Sequence, residues 1–249
     1  MKLTFVGTSH GVPEKERYCS CTMIESGGAR YFIDAGAPLG ELVKRCDWDI
    51  REIRAVFTTH VHADHTVGIP HFADLINWFY KEAAVDFYIT EQPLIDAIKG
   101  LILAMEPGST LKEDRVRFHL TDPTVDWEDE NLKLHYIPTK HLPEGHPSYA
   151  ILVTEKASGS RVLFSGDLSI RLEKSDVPTI LAEEELDAFV CEMAHFSAEA
   201  LKPYLDACRA KNLFFIHVAP AKKFEDIEAL KPGYRFEIHT PADGDSVEF

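Results

Sequence analysis

Residues 58 to 68 read T-T-H-V-H-A-D-H-T-V-G, which puts His60, His62, Asp64 and His65 within six consecutive positions. Imidazoles and a carboxylate at that density, directly after the apolar run Ala55, Val56 and Phe57, point to metal binding. On an extended or turning segment, His-x-His places both rings on one side. Asp64 and His65 follow where a helix is expected to begin. A strand end feeding a helix holds its backbone firmly while its side chains face outward. Four such side chains can converge on one pocket and serve two ions, with zinc, manganese or iron as the metals this donor set suits.

Three more ligand-type residues stand at the ends of other expected strands. His141 follows the run 132–137 in I-P-T-K-H, Asp167 follows 161–164 in F-S-G-D, and His217 directly follows 213–216 in F-F-I-H. A single histidine at a strand end is usually structural, but this series fits one sheet edge. Cys19-Ser20-Cys21 is a further potential metal pair. No second thiolate pair lies near it, so two small residues flanking a strand are the simpler reading.

The elements that must position these residues are mostly short β-rich runs. They fall at 3–6, 22–26, 30–34, 54–57, 85–89, 116–120, 132–137, 149–154, 161–164, 187–190, 213–216 and 234–239, with Gly, Pro, Asp or Asn between most of them. Residues 25–29 and 156–160 read as hairpin turns. Helices are expected over 70–81, where Phe72, Leu75, Ile76 and Phe79 share a face, and over 91–105 and 198–210. Blocks of strands separated by helices predict a layered α/β arrangement. With no repeat, low-complexity tract or linker in view, residues 1–249 read as one domain.

The bulk numbers exclude several function classes. The formal net charge is -15, from 26 Lys+Arg against 41 Asp+Glu, a field that opposes broad nucleic-acid binding. The five cysteines, Cys19, Cys21, Cys46, Cys191 and Cys208, are odd in number and form no framework. Reduced thiols and a cytoplasmic location are expected. The opening M-K-L-T-F-V-G-T-S shows no signal peptide, and no apolar run suits a membrane span.

In order along the chain, Asp34 in F-I-D-A-G, the His60-x-His62-x-Asp64-His65 motif, His141, Asp167 and His217 resemble the signature of the metallo-β-lactamase superfamily over about residues 3 to 218. The resemblance implies a four-layered αββα sandwich with a binuclear metal centre at one edge, zinc first among its metals. It implies His60, His62 and His141 on one ion, Asp64, His65 and His217 on the other, and Asp167 bridging both. Asp64 thereby enters the catalytic centre. Two such ions can hold a bridging hydroxide at neutral pH and stabilise a phosphoryl oxygen. Asp34 resembles the acid that orients a ligand imidazole.

The opening L-T-F-V-G-T-S-H-G-V-P, with Arg17 downstream, is similar to ribonuclease Z and its phosphodiesterase relatives. In that branch a G-T-x-x-G-x-P loop brings backbone toward substrate; here it is Gly7-Thr8 and Gly11, with His10 a potential substrate contact. C-E-M-A-H-F-S carries Glu192 and His195, similar to that branch's orienting acid and proton donor, though only three residues apart where the family separates them widely. The stretch between His141 and Asp167 reads as a loop plus a hairpin, without room for the long arm with which ribonuclease Z grips transfer RNA. A small or compact phosphodiester is therefore the expected substrate, and transfer RNA is not. Exported β-lactamases often carry Cys where this chain has Asp167, and glyoxalase-like thioesterases lack the N-terminal loop. The alternatives are a lactonase or other carboxylic-ester hydrolase and, from another class, a non-catalytic metal-binding or nucleotide-sensing module. The full ligand set weighs against the module. Relatives of this type are often homodimers.

Overall fold

The computed structural model describes residues 1–169 and 179–249. The first part of the chain forms β1 (Lys2–Gly7), β2 (Cys21–Ser26), β3 (Ala29–Ile33), α1 (Leu39–Arg45), β4 (Ile53–Phe57), α2 (Ala63–Thr66), α3 (Gly68–Trp78), β5 (Val85–Ile89), α4 (Gln92–Met105) and β6 (Val116–Leu120). The second forms β7 (Trp127–Glu128), β8 (Leu132–Pro138), β9 (Tyr149–Glu155), β10 (Arg161–Phe164), α5 (Ile180–Glu183), β11 (Leu186–Met193), α6 (Ala198–Leu205), β12 (Ala210–Val218), α7 (Lys223–Leu230) and β13 (Glu237–His239). β14 (Ser246–Glu248) then returns to pair with β1.

The strands make two seven-stranded sheets, in the orders β14-β1-β2-β3-β4-β5-β6 and β13-β12-β11-β10-β9-β8-β7. Read from β14 and from β7, each sheet has three antiparallel pairings followed by three parallel ones. The two halves thus share one plan that no repeat in the sequence announces. Gly27 and Gly28, at φ 59° and 79°, make the two-residue turn between β2 and β3. Such a turn matches the right-handed twist of the strands it joins.

Alternation along each strand divides its side chains between two cores. On β4, Val56 packs with Phe32, Phe72, Ile76 and Phe87 under α1, α3 and α4, whereas Ala55 and Phe57 face the other sheet. There they meet Phe5, Tyr31, Leu134, Ile151, Phe164 and Val190. A third core places Phe189, Leu213 and Phe215 against Leu201 and Leu205 of α6 and Ile227 of α7. Central strands covered on both faces need near-continuous apolar runs, which is why they were legible. The result is the expected four-layered αββα sandwich.

Some expected boundaries move. The helix expected over 198–210 ends at Leu205, and Ala210 already begins β12. The strand expected over 234–239 covers only Glu237–His239, after a 3-10 turn at Lys231–Gly233. The elements α1, α5, α7, β7 and β14 are not among those expected from the sequence; β7 and β14, of two and three residues, are too short to display a period. Among the described residues, no helix is long and apolar enough to cross a membrane.

Because β3, β4 and β5 run parallel, as do β10, β11 and β12, their C-terminal ends open on a common edge. That edge is where open α/β sheets bind ligands.

Candidate metal centre

β4 stops at Phe57, and the chain crosses Thr58 to His62 before α2 begins at Ala63. The helix end is fixed by the His65 N–H donating to the His62 carbonyl (3.0 Å) and by Thr66 Oγ1 donating to the same oxygen (2.9 Å). Asp34, just past β3, sits at φ 60°, a left-handed conformation that a non-glycine residue keeps only when its surroundings hold it. They do: its carboxylate accepts from Thr59 N (2.7 Å), Thr59 Oγ1 (2.9 Å) and His65 Nδ1 (2.7 Å). Gly36 lets this turn lie against α2, since a Cβ there would stand 1.8 Å from the Asp64 carbonyl oxygen.

Three overlapping groups of ligand atoms result, the atoms of each lying within 4.8 Å of one another. The two larger ones are His60, His62, His141 and Asp167, and Asp64, His65, Asp167 and His217; the third is Asp167, Glu192 and His195. Asp167 is common to all three. Its Oδ1 lies 3.3 Å from His65 Nε2, and its Oδ2 lies 3.5 Å from His217 Nε2, 3.7 Å from His141 Nε2 and 3.8 Å from His60 Nε2. Asp64 Oδ2 is 3.4 Å from His65 Nε2 and 3.8 Å from His217 Nε2. His62 Nδ1 is 3.2 Å from His141 Nε2.

The imidazoles that turn Nε2 to the centre are each tied down through Nδ1. His65 donates to Asp34, and His141 donates to the Leu168 carbonyl at 3.1 Å. His217 Nδ1 lies 2.8 Å from Ser20 Oγ, and His60 Nδ1 lies 3.0 Å from Thr59 Oγ1. His60 Nε2, His65 Nε2 and Asp167 Oδ1 are buried without a hydrogen-bond partner among the described residues. Buried polar atoms left unpaired cost about 1–3 kcal/mol each. Anchored imidazoles with free inner nitrogens, set beside carboxylates, are the donor set of a divalent-metal site, so the residues fit such an ion.

The electrostatics set His65 apart from the other rings. Burial, reinforced by His65, holds the His60 imidazole well below its ordinary pKa. Burial likewise lowers His141 and His217, which favours the uncharged form that can ligate. Burial opposes ionisation of Asp167, but His217, His65 and His60 overcome it and hold the carboxyl well below the usual range. Burial also works against charge on His65, yet Asp167 and Asp34 raise it well above its ordinary value.

β11 runs on to Met193, so Glu192 lies within the strand rather than beyond it. Its Oε1 lies 2.8 Å from His195 Nδ1 and accepts from the Leu168 N–H at 2.8 Å; its Oε2 accepts from the Ala194 N–H at 2.7 Å. The three-residue spacing thus does not separate the pair, because the chain bends back at the end of β11. His195 Nδ1 is 3.9 Å from Asp167 Oδ2, and its side chain is 28% exposed. Burial would lower its pKa, but the hydrogen bond and charge of Glu192 raise it.

His10 stands outside both donor groups, with Nε2 3.6 Å from Glu14 Oε1. The neighbouring Gly11 backbone comes close instead: a Cβ there would be 3.5 Å from Asp64 Oδ2. Cys19 and Cys21 are buried free thiols and belong to neither group among the described residues. Burial, with Asp64 adding to it, pushes Cys19 up to about 11. Sequence reasoning passed over Ser20, Thr59 and Leu168; Thr59, directly before the histidine motif, carried the only positional hint.

A family model described as "Anti-Pycsar protein Apyc1" matches residues 1–229. Ribonuclease Z of Synechococcus sp. (strain CC9311) is 30% identical over 165 residues, 65% of this chain and 51% of that protein. Ribonuclease Z of Pseudomonas putida (strain W619) is 29% identical over 157 residues, 62% of this chain and 47% of that protein. The chain spans about half the length of these curated relatives. Among solved structures, the metallo-β-lactamase fold protein YhfI from Bacillus subtilis matches with a TM-score of 0.76 at 16% identity, covering 99% of both chains. Human tRNase Z, short form, matches with a TM-score of 0.75 at 19% identity, covering 100% of this chain and 99% of that one. The fold is therefore the metallo-β-lactamase fold.

Proposed function

The chain belongs to the anti-Pycsar protein Apyc1 family, in the ribonuclease Z and phosphodiesterase-like branch of the metallo-β-lactamase superfamily, and from that premise we propose a metal-dependent hydrolase that cleaves a small or compact phosphodiester. One observation carries the reading: two donor groups share Asp167, and three of their buried atoms have no other partner among the described residues. In this reading His60, His62 and His141 hold one divalent ion, Asp64, His65 and His217 hold a second, and Asp167 serves both. Zinc is the first choice, with manganese or iron also suited to the donors. Such ions supply Lewis-acid stabilisation of phosphoryl oxygen and lower the pKa of water.

The chain's own groups do the rest. Asp34 fixes the His65 ring, and Ser20 fixes that of His217. Glu192 holds Nδ1 of His195 and favours its protonated form, leaving Nε2 to give a proton to a departing alkoxide. The Gly11 backbone bounds the space beside Asp64. Between His141 and Asp167 the chain forms only the connection into β9 and the β9–β10 hairpin. Together with the net charge of -15, this favours a compact substrate over transfer RNA.

Turnover of bis(p-nitrophenyl) phosphate, p-nitrophenyl acetate and a precursor transfer RNA, with added zinc or manganese, tests this. Preference for the phosphodiester is the expected result. Preference for the carboxylic ester, or site-specific cleavage of the RNA at nanomolar enzyme, would overturn the substrate assignment. Absence of all three activities in a metal-loaded protein would favour a sensing module.

A further inference from the structure

Asp243 lies in the turn between β13 and β14, a polar stretch with no ligand motif. Its Oδ1 accepts from the Thr8 N–H at 2.9 Å and from Thr8 Oγ1 at 2.8 Å; its Oδ2 accepts from the Tyr18 N–H at 2.6 Å. Thr8 and Tyr18 are the two limbs at the base of the loop that carries His10, Gly11 and Arg17. The limbs are joined again by the Ser9 N–H donating to the Tyr18 carbonyl at 2.8 Å. The turn itself is fastened to β1, with Gly244 N donating to Phe5 O (2.7 Å) and Phe5 N to Asp245 O (2.9 Å).

Two features of the metal centre depend on where this loop sits. The Thr8 carbonyl accepts from the His217 N–H at 2.9 Å, and His217 is held at φ 53°, a conformation that L-residues rarely adopt unaided. At the loop tip, Gly11 faces Asp64: a Cβ on it would lie 3.5 Å from Asp64 Oδ2. His217 and Asp64 both belong to the second donor group, and neither belongs to the first.

We propose that Asp243 is a positioning residue: by clamping both limbs of the loop between Thr8 and Tyr18, it holds His217 and the Gly11 backbone in register with the second metal position. Three hydrogen bonds to the two oxygens of one carboxyl tie both limbs of the loop to a single side chain. An Asn at this position keeps one acceptor oxygen but turns an amide donor toward the Tyr18 N–H. The metal part of this inference rests on the ligand assignment above; the clamp itself does not.

Asp243→Asn and the milder Thr8→Val test it on the protein as purified, by amide hydrogen exchange and by zinc titration against a chromophoric chelator. In D243N, exchange should accelerate about tenfold or more in residues 7–20 and 214–218, with β9 to β11 unchanged. The second zinc equivalent should weaken by roughly 10–100-fold while the first holds. T8V should move both readouts the same way by less, and it carries the test if D243N does not fold. Unchanged exchange in both segments overturns the proposal. So does uniform acceleration with equal weakening of both equivalents, which marks general destabilisation. If the wild type takes up no second equivalent, the binuclear assignment fails, and the exchange data alone then decide whether Asp243 clamps the loop.

Discussion

Asp34 Oδ2 and His65 Nδ1 lie 2.7 Å apart, both residues buried, joining the end of β3 to the first turn of α2. The contact fixes the proton of His65 on Nδ1 and turns Nε2 to the centre, where it meets Asp64 and Asp167. The same carboxylate takes the Thr59 N–H and so sets the backbone just before His60. One acid outside both donor groups therefore orients a ring from each.

Asp34→Asn should accordingly weaken metal binding by roughly 10–100-fold, the usual effect of losing the partner behind a ligand imidazole. An amide can turn its NH2 toward His65, which lets the ring flip and offer the wrong nitrogen. Chelator competition measures this directly. Wild-type affinity in D34N would show that the Asp34–His65 contact only supports the fold.

Asp167→Ala should damage both metal positions together, since this carboxylate belongs to both donor groups. Wild-type protein purified without chelator should carry roughly two divalent ions per chain, as binuclear hydrolases do. D167A should lose most of both by elemental analysis. Loss of one ion with full retention of the other would assign Asp167 to a single site. Fewer than about 0.3 equivalents in folded, metal-supplemented wild type would remove the binuclear reading itself.

What the sequence displayed and what it hid divide along physical lines. His60, His62, Asp64 and His65 are neighbours in the chain, so their convergence needs only one strand end and one helix start. His141, Asp167 and His217 could be read because each follows a strand apolar enough to be recognised. Ser20, Thr59 and Asp243 act through residue types common in any loop, and Asp243 reaches Thr8 only because β14 pairs with β1. Strands such as β7 and β14 take their extended form from the neighbours they pair with, not from a pattern of their own. Glu192 and His195 show the opposite difficulty. Their close spacing departs from the wide separation of the branch they resemble, yet the bend after β11 brings the two groups to 2.8 Å.

Stability in acid should depend on Asp86, a half-buried residue of β5. It accepts from Arg117 Nε at 2.7 Å and lies 2.7 Å from His119 Nε2. Burial opposes its ionisation, but the bonds from Arg117 and His119 prevail and lower its pKa. A carboxyl lowered on folding contributes stability above its unfolded pKa of about 4 and loses that contribution as pH falls through the folded value. Asp86→Asn should cost about 1 kcal/mol at neutral pH, as for other partly exposed pairs. Urea unfolding at a series of pH values should show the gap between variant and wild type closing in acid. A gap that persists well below the folded value would mean the loss is one of packing.

His195 decides between acid catalysis and a supporting role. It is absent from the two donor groups proposed to hold the ions and groups instead with Asp167 and Glu192, its Nδ1 engaged by Glu192, so His195→Ala should leave metal content and melting temperature close to wild type. If it protonates the leaving group, turnover should fall by roughly 10²–10⁴-fold for a diester with a poor alkoxide leaving group. It should fall far less for p-nitrophenolate, which departs without a proton. Glu192→Gln should reproduce part of the same contrast, because the hydrogen bond at 2.8 Å that favours the protonated ring loses its charge. A packing role predicts equal losses on both substrates with a lower melting temperature, and a ligand role predicts loss of metal. Equal rate losses on the two leaving groups, at full metal occupancy, would remove His195 from the chemistry.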